Sequence, residues 1–169
     1  RLELHSYLEE LASEVDETVD LAILEDEHVL FIDQVSAVSR RLRAVSTVGS
    51  TFPPYCTANG KALLAKLSPE QLERLVPAQL EPFTPRTITT REQLLRELKL
   101  VRSEGIAYDR EEHTEGICAI GIVVPYTRNS MAAITIALPS IRFYHNERNL
   151  ASALLQMSER IKQNYGIAL

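Results

Sequence analysis

Two apolar runs constrain the chain most: Ile117 to Pro125 (ICAIGIVVP) and Met131 to Pro139 (MAAITIALP), parted by a turn at Tyr126 to Ser130. Runs of this length and composition suit buried β-strands, and they fall far short of the roughly 20 residues that span a membrane. Earlier in the chain, TVDLAIL (Thr18 to Leu24) and HVLFIDQV (His28 to Val35) flank Glu25-Asp26-Glu27, which predicts a hairpin with a charged turn. Arg41 to Val48 alternates Leu42, Ala44, Ser46 and Val48 against its other side and predicts a third strand, with Gly49 to Pro54 as a loop. Ile106 to Glu111 completes a set of six.

Helices fill the intervals. Leu4, Leu8, Leu11 and Val15 share one face of a helix over residues 1–15, an apolar stripe that predicts self-association. Ala58 to Leu67 carries Leu63, Leu64 and Leu67 at helical spacing. Ser68-Pro69-Glu70-Gln71 combines an N-cap, Pro at the first helical position and Gln three residues after the cap, a restart signal for a helix through Val76. Pro77 to Pro85 is irregular. Thr90 repeats the cap ahead of Leu94, Leu95, Leu98 and Val101, and Gly105 stands at the C′ stop. Asn146 is the candidate cap of a last helix bearing Leu150, Leu154, Met157 and Ile161, with Gly166 beyond its end. The order of helix, three strands, helices, three strands and helix predicts an α+β domain, a mainly antiparallel sheet with helices on its faces.

The 169 residues suit one domain with one core, and 45% hydrophobic with 24% charged residues is ordinary for a soluble protein. A net charge of −5 and no basic cluster beyond Arg40-Arg41-Leu42-Arg43 make the chain a poor nucleic-acid binder by itself. Cys56 and Cys118 form no CxxC pair, which fits reduced thiols and a cytoplasmic location better than a structural disulfide.

Two stretches read as walls of one small-molecule pocket. In PPYCTANGKALLA (Pro53 to Ala65), Cys56, Thr57 and Asn59 stand where a helix cap would form, and Gly60 allows close approach to the backbone. Helix starts attract anions, and Lys61, one turn further in, adds positive potential. In DREEHTEGICAIGIVVP (Asp109 to Pro125), Asp109, Glu111, Glu112 and His113 give a polar rim beside an apolar floor.

Stronger chemical motifs are missing. Gly60-Lys61 lacks the earlier glycine and the following Ser or Thr of a phosphate loop. Glu111, His113 and Glu115 share a face only if extended, without the second His or Cys of a zinc site, so they read as a solvated rim. His5, His28 and His145 are isolated. Cys118 sits in an apolar strand, as inert thiols do, whereas Cys56 at a helix start is the candidate nucleophile.

Several segments, in the right order and over nearly the whole chain, resemble the C-terminal effector-binding domain of IclR-type bacterial transcription regulators. They are DETVDLAILEDEHVLFIDQV, VGSTFPPYCTANGKALLAKLSPEQ, TPRTITTREQLLRELKLVRSEGIAYDREEHTEGICAIGIVVP and MAAITIALP. The resemblance implies a GAF-like, profilin-like six-stranded fold and reversible binding of a small organic acid. It also implies a dimer or tetramer and DNA binding only through a separate N-terminal winged helix; no cofactor, metal or membrane is expected. Residues 1–15 would form the linker helix and 16–169 the sensor.

Pocket positions transfer by motif to Thr57, Ala58, Asn59, Asp109, Ile117, Ala119, Thr135 and Ala137, with Ala44 from the third strand. Cys56, Gly60 and Cys118 complete the candidate set, although strand alternation turns Cys118 away from Ala119. A wall of Ile117, Ala119, Thr135 and Ala137 holds one hydroxyl, which favours an aromatic or branched carboxylate over polyhydroxylated acids. Asp109 is expected to accept hydrogen bonds from loop backbone or a ligand hydroxyl. The runner-up is a small GAF-fold enzyme using Cys56 for redox or hydrolytic chemistry. A cyclic-nucleotide sensor ranks third, for want of a basic phosphate-binding cluster.

Overall fold

The computed structural model describes residues 3–44 and 46–165. Six strands form one antiparallel sheet in the order β3-β2-β1-β6-β5-β4. They are β1 (Thr18–Glu25), β2 (His28–Val35), β3 (Thr51–Phe52), β4 (Ala107–Arg110), β5 (Ile117–Thr127) and β6 (Ser130–Pro139). The described residues also form five α-helices: α1 (His5–Val15), α2 (Ala58–Leu64), α3 (Pro69–Leu75), α4 (Arg91–Glu104) and α5 (Ser140–Tyr165). A 3-10 turn at Pro54–Cys56 leads into α2.

Alternation along each strand sends its two sets of side chains to different layers. Val19 and Leu21 of β1, Cys118, Ile120, Ile122 and Val124 of β5, and Ile134, Ile136 and Leu138 of β6 pack with α1 and α5. Each fully buried Leu or Ile there contributes on the order of 1.5–3 kcal/mol. Leu4, Leu8 and Leu11 are buried in this same core. The stripe expected to drive self-association is therefore consumed inside the chain.

The other face carries small residues, and α2 lies directly on it. Ala107, Val123 and Ala133 pack with Ala62, Leu63 and Leu64 of α2, and α3 and α4 add Leu72, Leu94, Leu98 and Val101. Gly121 makes that approach possible, since a Cβ there would sit 2.4 Å from Thr135 Cγ2 and 3.6 Å from the Ala58 carbonyl carbon. The capping box at Ser68 forms as its spacing predicts, Thr90 caps α4, and Gly105 closes it at φ 74°.

Two expectations are corrected. Arg41 to Val48 is no strand at its described positions, residue 45 lying outside them. Thr51 and Phe52 occupy the place beside β2, opposite Leu30 and Val29. The 36–44 segment is held by side chains instead: Arg43 Nη1 donates to the Ala37 carbonyl at 2.9 Å, and Arg142 Nη2 to that of Leu42 at 2.9 Å. The last helix begins at Ser140, directly after β6, where the Ser140 N–H reaches the Gly116 carbonyl at 2.8 Å. Asn146 lies inside that helix and bonds back to the Arg142 carbonyl. Gly166 lies outside the described residues.

Candidate functional site

Beyond the first turn of α2 the small-residue face of the sheet is left open, and a cavity of about 310 Å³ forms there. Strand register builds its floor as two adjacent rows. One holds Asp20 and Thr135 of β1 and β6, in register with Gly121 of β5; the other holds Ala137, Ala119 and Asp109 of β6, β5 and β4, in register with Thr18 of β1, and neither Gly121 nor Thr18 itself lines the cavity. Ala58, Thr57 and Asn59 enter from the start of α2, and Arg43, Ala44 and Ser46 from the segment after β2. Ile117, His113 and Thr114 close the β5 end.

Phe31, Phe52 and His113 form an aromatic side. The Phe31 and Phe52 rings meet edge-on at 5.1 Å, Phe52 and His113 at 4.9 Å, and Phe83 backs His113 at 5.2 Å. Burial lowers the His113 pKa below its ordinary 6.5, which favours the neutral ring at pH 7.

Two acids face the cavity from opposite sides. Asp109 Oδ1 accepts the Glu112 backbone N–H at 2.7 Å, as expected of a loop-bonded carboxylate. Asp20 Oδ1 accepts Gln34 Nε2 at 2.6 Å. Burial is the largest cause in both cases and pushes both carboxyls up to about 7. Each is therefore distributed between its neutral and ionised forms near neutrality.

Nine candidates from the sequence line this cavity: Ala44, Thr57, Ala58, Asn59, Asp109, Ile117, Ala119, Thr135 and Ala137. Three do not. Cys118 is buried on the opposite face of the sheet, against α1 and α5, as strand alternation requires. Cys56 is buried under the turn before α2, its Sγ 3.8 Å from the Pro53 carbonyl oxygen. Gly60 also lies off the wall: its N–H is taken by Thr57 Oγ1 and Asn59 Oδ1, and a Cβ there would come within 2.2 Å of the Pro54 carbonyl oxygen. Gly60 thus serves packing of the turn, not approach of a ligand.

Lys61 departs furthest from expectation. It is wholly buried, with Nζ 2.8 Å from Glu112 Oε2 and 3.1 Å from Glu97 Oε1. It ties α2 to α4 and to the loop after β4 and lends no free charge to the cavity. Glu112 is correspondingly buried, not part of a solvated rim. Among the described residues no group of three or more His, Cys, Asp or Glu is placed to hold a metal ion, and no helix is long and apolar enough to cross a membrane.

Asp20, Phe31, Arg43, Ser46, Phe52 and Thr114 were not read from the sequence as wall residues. Asp20 did carry a signal, being an acid in the middle of the apolar run TVDLAIL. The nucleophile reading of Cys56 loses its basis, because burial pushes that thiol up to about 12 and keeps it protonated. Cys118 is likewise pushed up to about 11.

Comparisons with known proteins agree with this geometry. The family described as "Bacterial transcriptional regulator IclR C-terminal" matches residues 1–163. The HTH-type transcriptional regulator Rv1719 of Mycobacterium tuberculosis is 50% identical over 159 residues, 94% of this chain and 61% of that protein. The HTH-type transcriptional regulator TtgV of Pseudomonas putida is 35% identical over 162 residues, 96% of this chain and 61% of that protein. The solved Thermotoga maritima IclR superposes with a TM-score of 0.86 at 28% identity, over 97% of this chain and 67% of that one. The chain spans about 61% of the length of these two curated relatives, and both are transcription regulators, not enzymes. It belongs to the IclR family of bacterial transcription regulators and is a C-terminal, effector-binding domain of that family.

Proposed function

We propose that the cavity takes a small organic acid with an aromatic or branched body, and that its occupancy modulates DNA binding by a separate winged-helix domain. The observation that carries this reading is the cavity itself: a space of about 310 Å³, at the small end of ligand sites, with an apolar floor and a few convergent polar groups. Phe31, Phe52, Ile117, Ala119 and Ala137 suit an apolar body. Arg43 is the one Lys or Arg among the described lining residues, and with the Ser46 hydroxyl it suits a carboxylate. Two ionised acids would repel that carboxylate, but carboxyls held up to about 7 do so only in part.

Calorimetry with matched acids, amides and amines on aromatic and branched aliphatic frames tests this reading. Acids should bind most tightly, and tighter binding of amines would overturn it. Assembly into a dimer or tetramer, implied by the family resemblance, belongs to the same proposal. The exposed Val38, Leu42 and Ile141 offer it an apolar surface, the Leu4, Leu8, Leu11 stripe being unavailable. Light scattering at tens of micromolar should show more than a monomer.

A further inference from the structure

Asp20 is a buried acid that the effector reading above leaves without a task. Only 1% of the residue is exposed, it lines the cavity, and among the described residues no Lys, Arg or His pairs with it. Its Oδ1 holds the Gln34 amide at 2.6 Å, a bond that a neutral Asn could make equally well. Burying a carboxylate without a cation is costly, so a purely structural role accounts poorly for an acid at this position.

The surroundings of Asp20 are also short of hydrogen-bond partners. Thr18 lies two residues earlier on the same face of β1, opposite Ala137 of the cavity floor. Its hydroxyl is buried and, among the described residues, has no hydrogen-bond partner. Thr135, opposite Asp20 on β6, points its methyl at Gly121, where a Cβ would meet it at 2.4 Å. This corner of the cavity therefore holds the Asp20 carboxyl and the Thr135 side chain, with Asp109 on the far side of a floor of Ala119, Ala137 and Ile117.

We propose that Asp20 determines effector specificity by accepting a hydrogen bond from a hydroxyl or amino group carried on the ligand's apolar body. The inference rests on the reading of this cavity as the effector site and narrows its ligand to a hydroxylated or aminated acid. A ligand lacking the donor leaves the Asp20 corner unpaired, and sites built around such a bond discriminate strongly against the missing group. The wall with a single hydroxyl expected from the sequence thus becomes a wall with one specific polar corner.

The test is calorimetry on the folded chain with benzoic and phenylacetic acids, their ring-hydroxylated and ring-methoxylated derivatives, and the matching amides and amines. One hydroxylated isomer should bind at least tenfold more tightly than both its parent and its methoxy counterpart, since methoxy accepts but cannot donate. Asp20→Ala should reduce the hydroxyl preference below threefold while the parent still binds. Asp20→Asn, nearly isosteric and still able to hold Gln34, should bring the methoxy compound level with the hydroxylated one; it carries the test if Asp20→Ala fails to fold. Equal binding of parent and hydroxylated compounds in the wild type, or a full preference retained in either variant, would overturn the assignment. If amides or amines outbind acids, the acid reading falls, and the hydroxyl difference within the frame that binds still judges Asp20. No binding by any compound at millimolar concentration would sink both.

Discussion

Lys61 Nζ lies 2.8 Å from Glu112 Oε2, and both side chains are buried. The pair joins the helix that covers the cavity to the loop whose backbone N–H groups hold Asp109, because Glu112 is itself the donor to Asp109 Oδ1. From the 84–87 turn, Thr87 Oγ1 donates to the Glu112 carbonyl at 2.5 Å and Thr84 Oγ1 to the Glu111 carbonyl at 2.6 Å. The loop from 109 to 113 is thus stitched on both sides.

Removal of one partner from such a pair strands the other charge. Lys61→Met should cost about 3–5 kcal/mol in urea unfolding, because Glu112 is left buried and uncompensated. The double variant Lys61→Met with Glu112→Leu should recover most of that loss. A double variant no more stable than Lys61→Met alone would show that the pair itself, not its broken half, holds the loop.

Asp20 makes stability depend on pH in a definite direction. Its folded-state pKa is raised from 3.8 to about 7, so the folded chain binds the proton more tightly than the unfolded one. The stability this confers is fully present below pH 3.8 and is lost as pH rises through about 7, by up to about 1.4 kcal/mol per pH unit. Asp109 acts in the same sense, whereas His113, with its lowered pKa, acts in the opposite one. The comparison that isolates Asp20 is therefore with Asp20→Asn. Measured against wild type, the variant should gain stability between pH 5 and pH 8. An equal difference at both pH values would mean that Asp20 does not titrate in that window.

Gly121 is required by the same contact that shapes the cavity floor. Gly121→Ala brings a Cβ within 2.4 Å of Thr135 Cγ2 and 3.3 Å of the Ile134 carbonyl oxygen. It should destabilise the domain by about 1–3 kcal/mol, the usual range for overpacking. Adding Thr135→Ser removes the methyl in question and should restore about half of the loss in thermal melts. Lack of any recovery would place the strain against the backbone instead.

Ala58 enters the cavity from the first residue of α2. Ala58→Trp should fill much of the 310 Å³ and abolish effector binding by calorimetry, with far-ultraviolet circular dichroism unchanged. Unchanged affinity in a folded variant would move the effector site elsewhere.

Local rules made most of the elements legible. The Ser68 capping box, the Thr90 cap, the Gly105 stop and the β1–β2 and β5–β6 hairpins depend on neighbours within a few residues, and each formed where its residues called for it. Period-two alternation likewise placed Ala119 and Cys118 on opposite faces. Eight of the wall residues were legible because they lie on these elements or on motifs shared with the family, whereas Ala44 was reached through a strand that does not form. Tertiary structure decided the rest. Arg41 to Val48 alternates like a strand, yet Thr51 and Phe52 occupy the ladder beside β2, and backbone pairing is settled by which segment reaches the sheet edge. Lys61 read as a source of positive potential at the helix start until Glu97 and Glu112, 36 and 51 residues away, closed around it. Asp20 read as one acid in an apolar run. The register that sets it opposite Thr135, and the helix that encloses that face, are long-range pairings, and these bring it to the cavity wall.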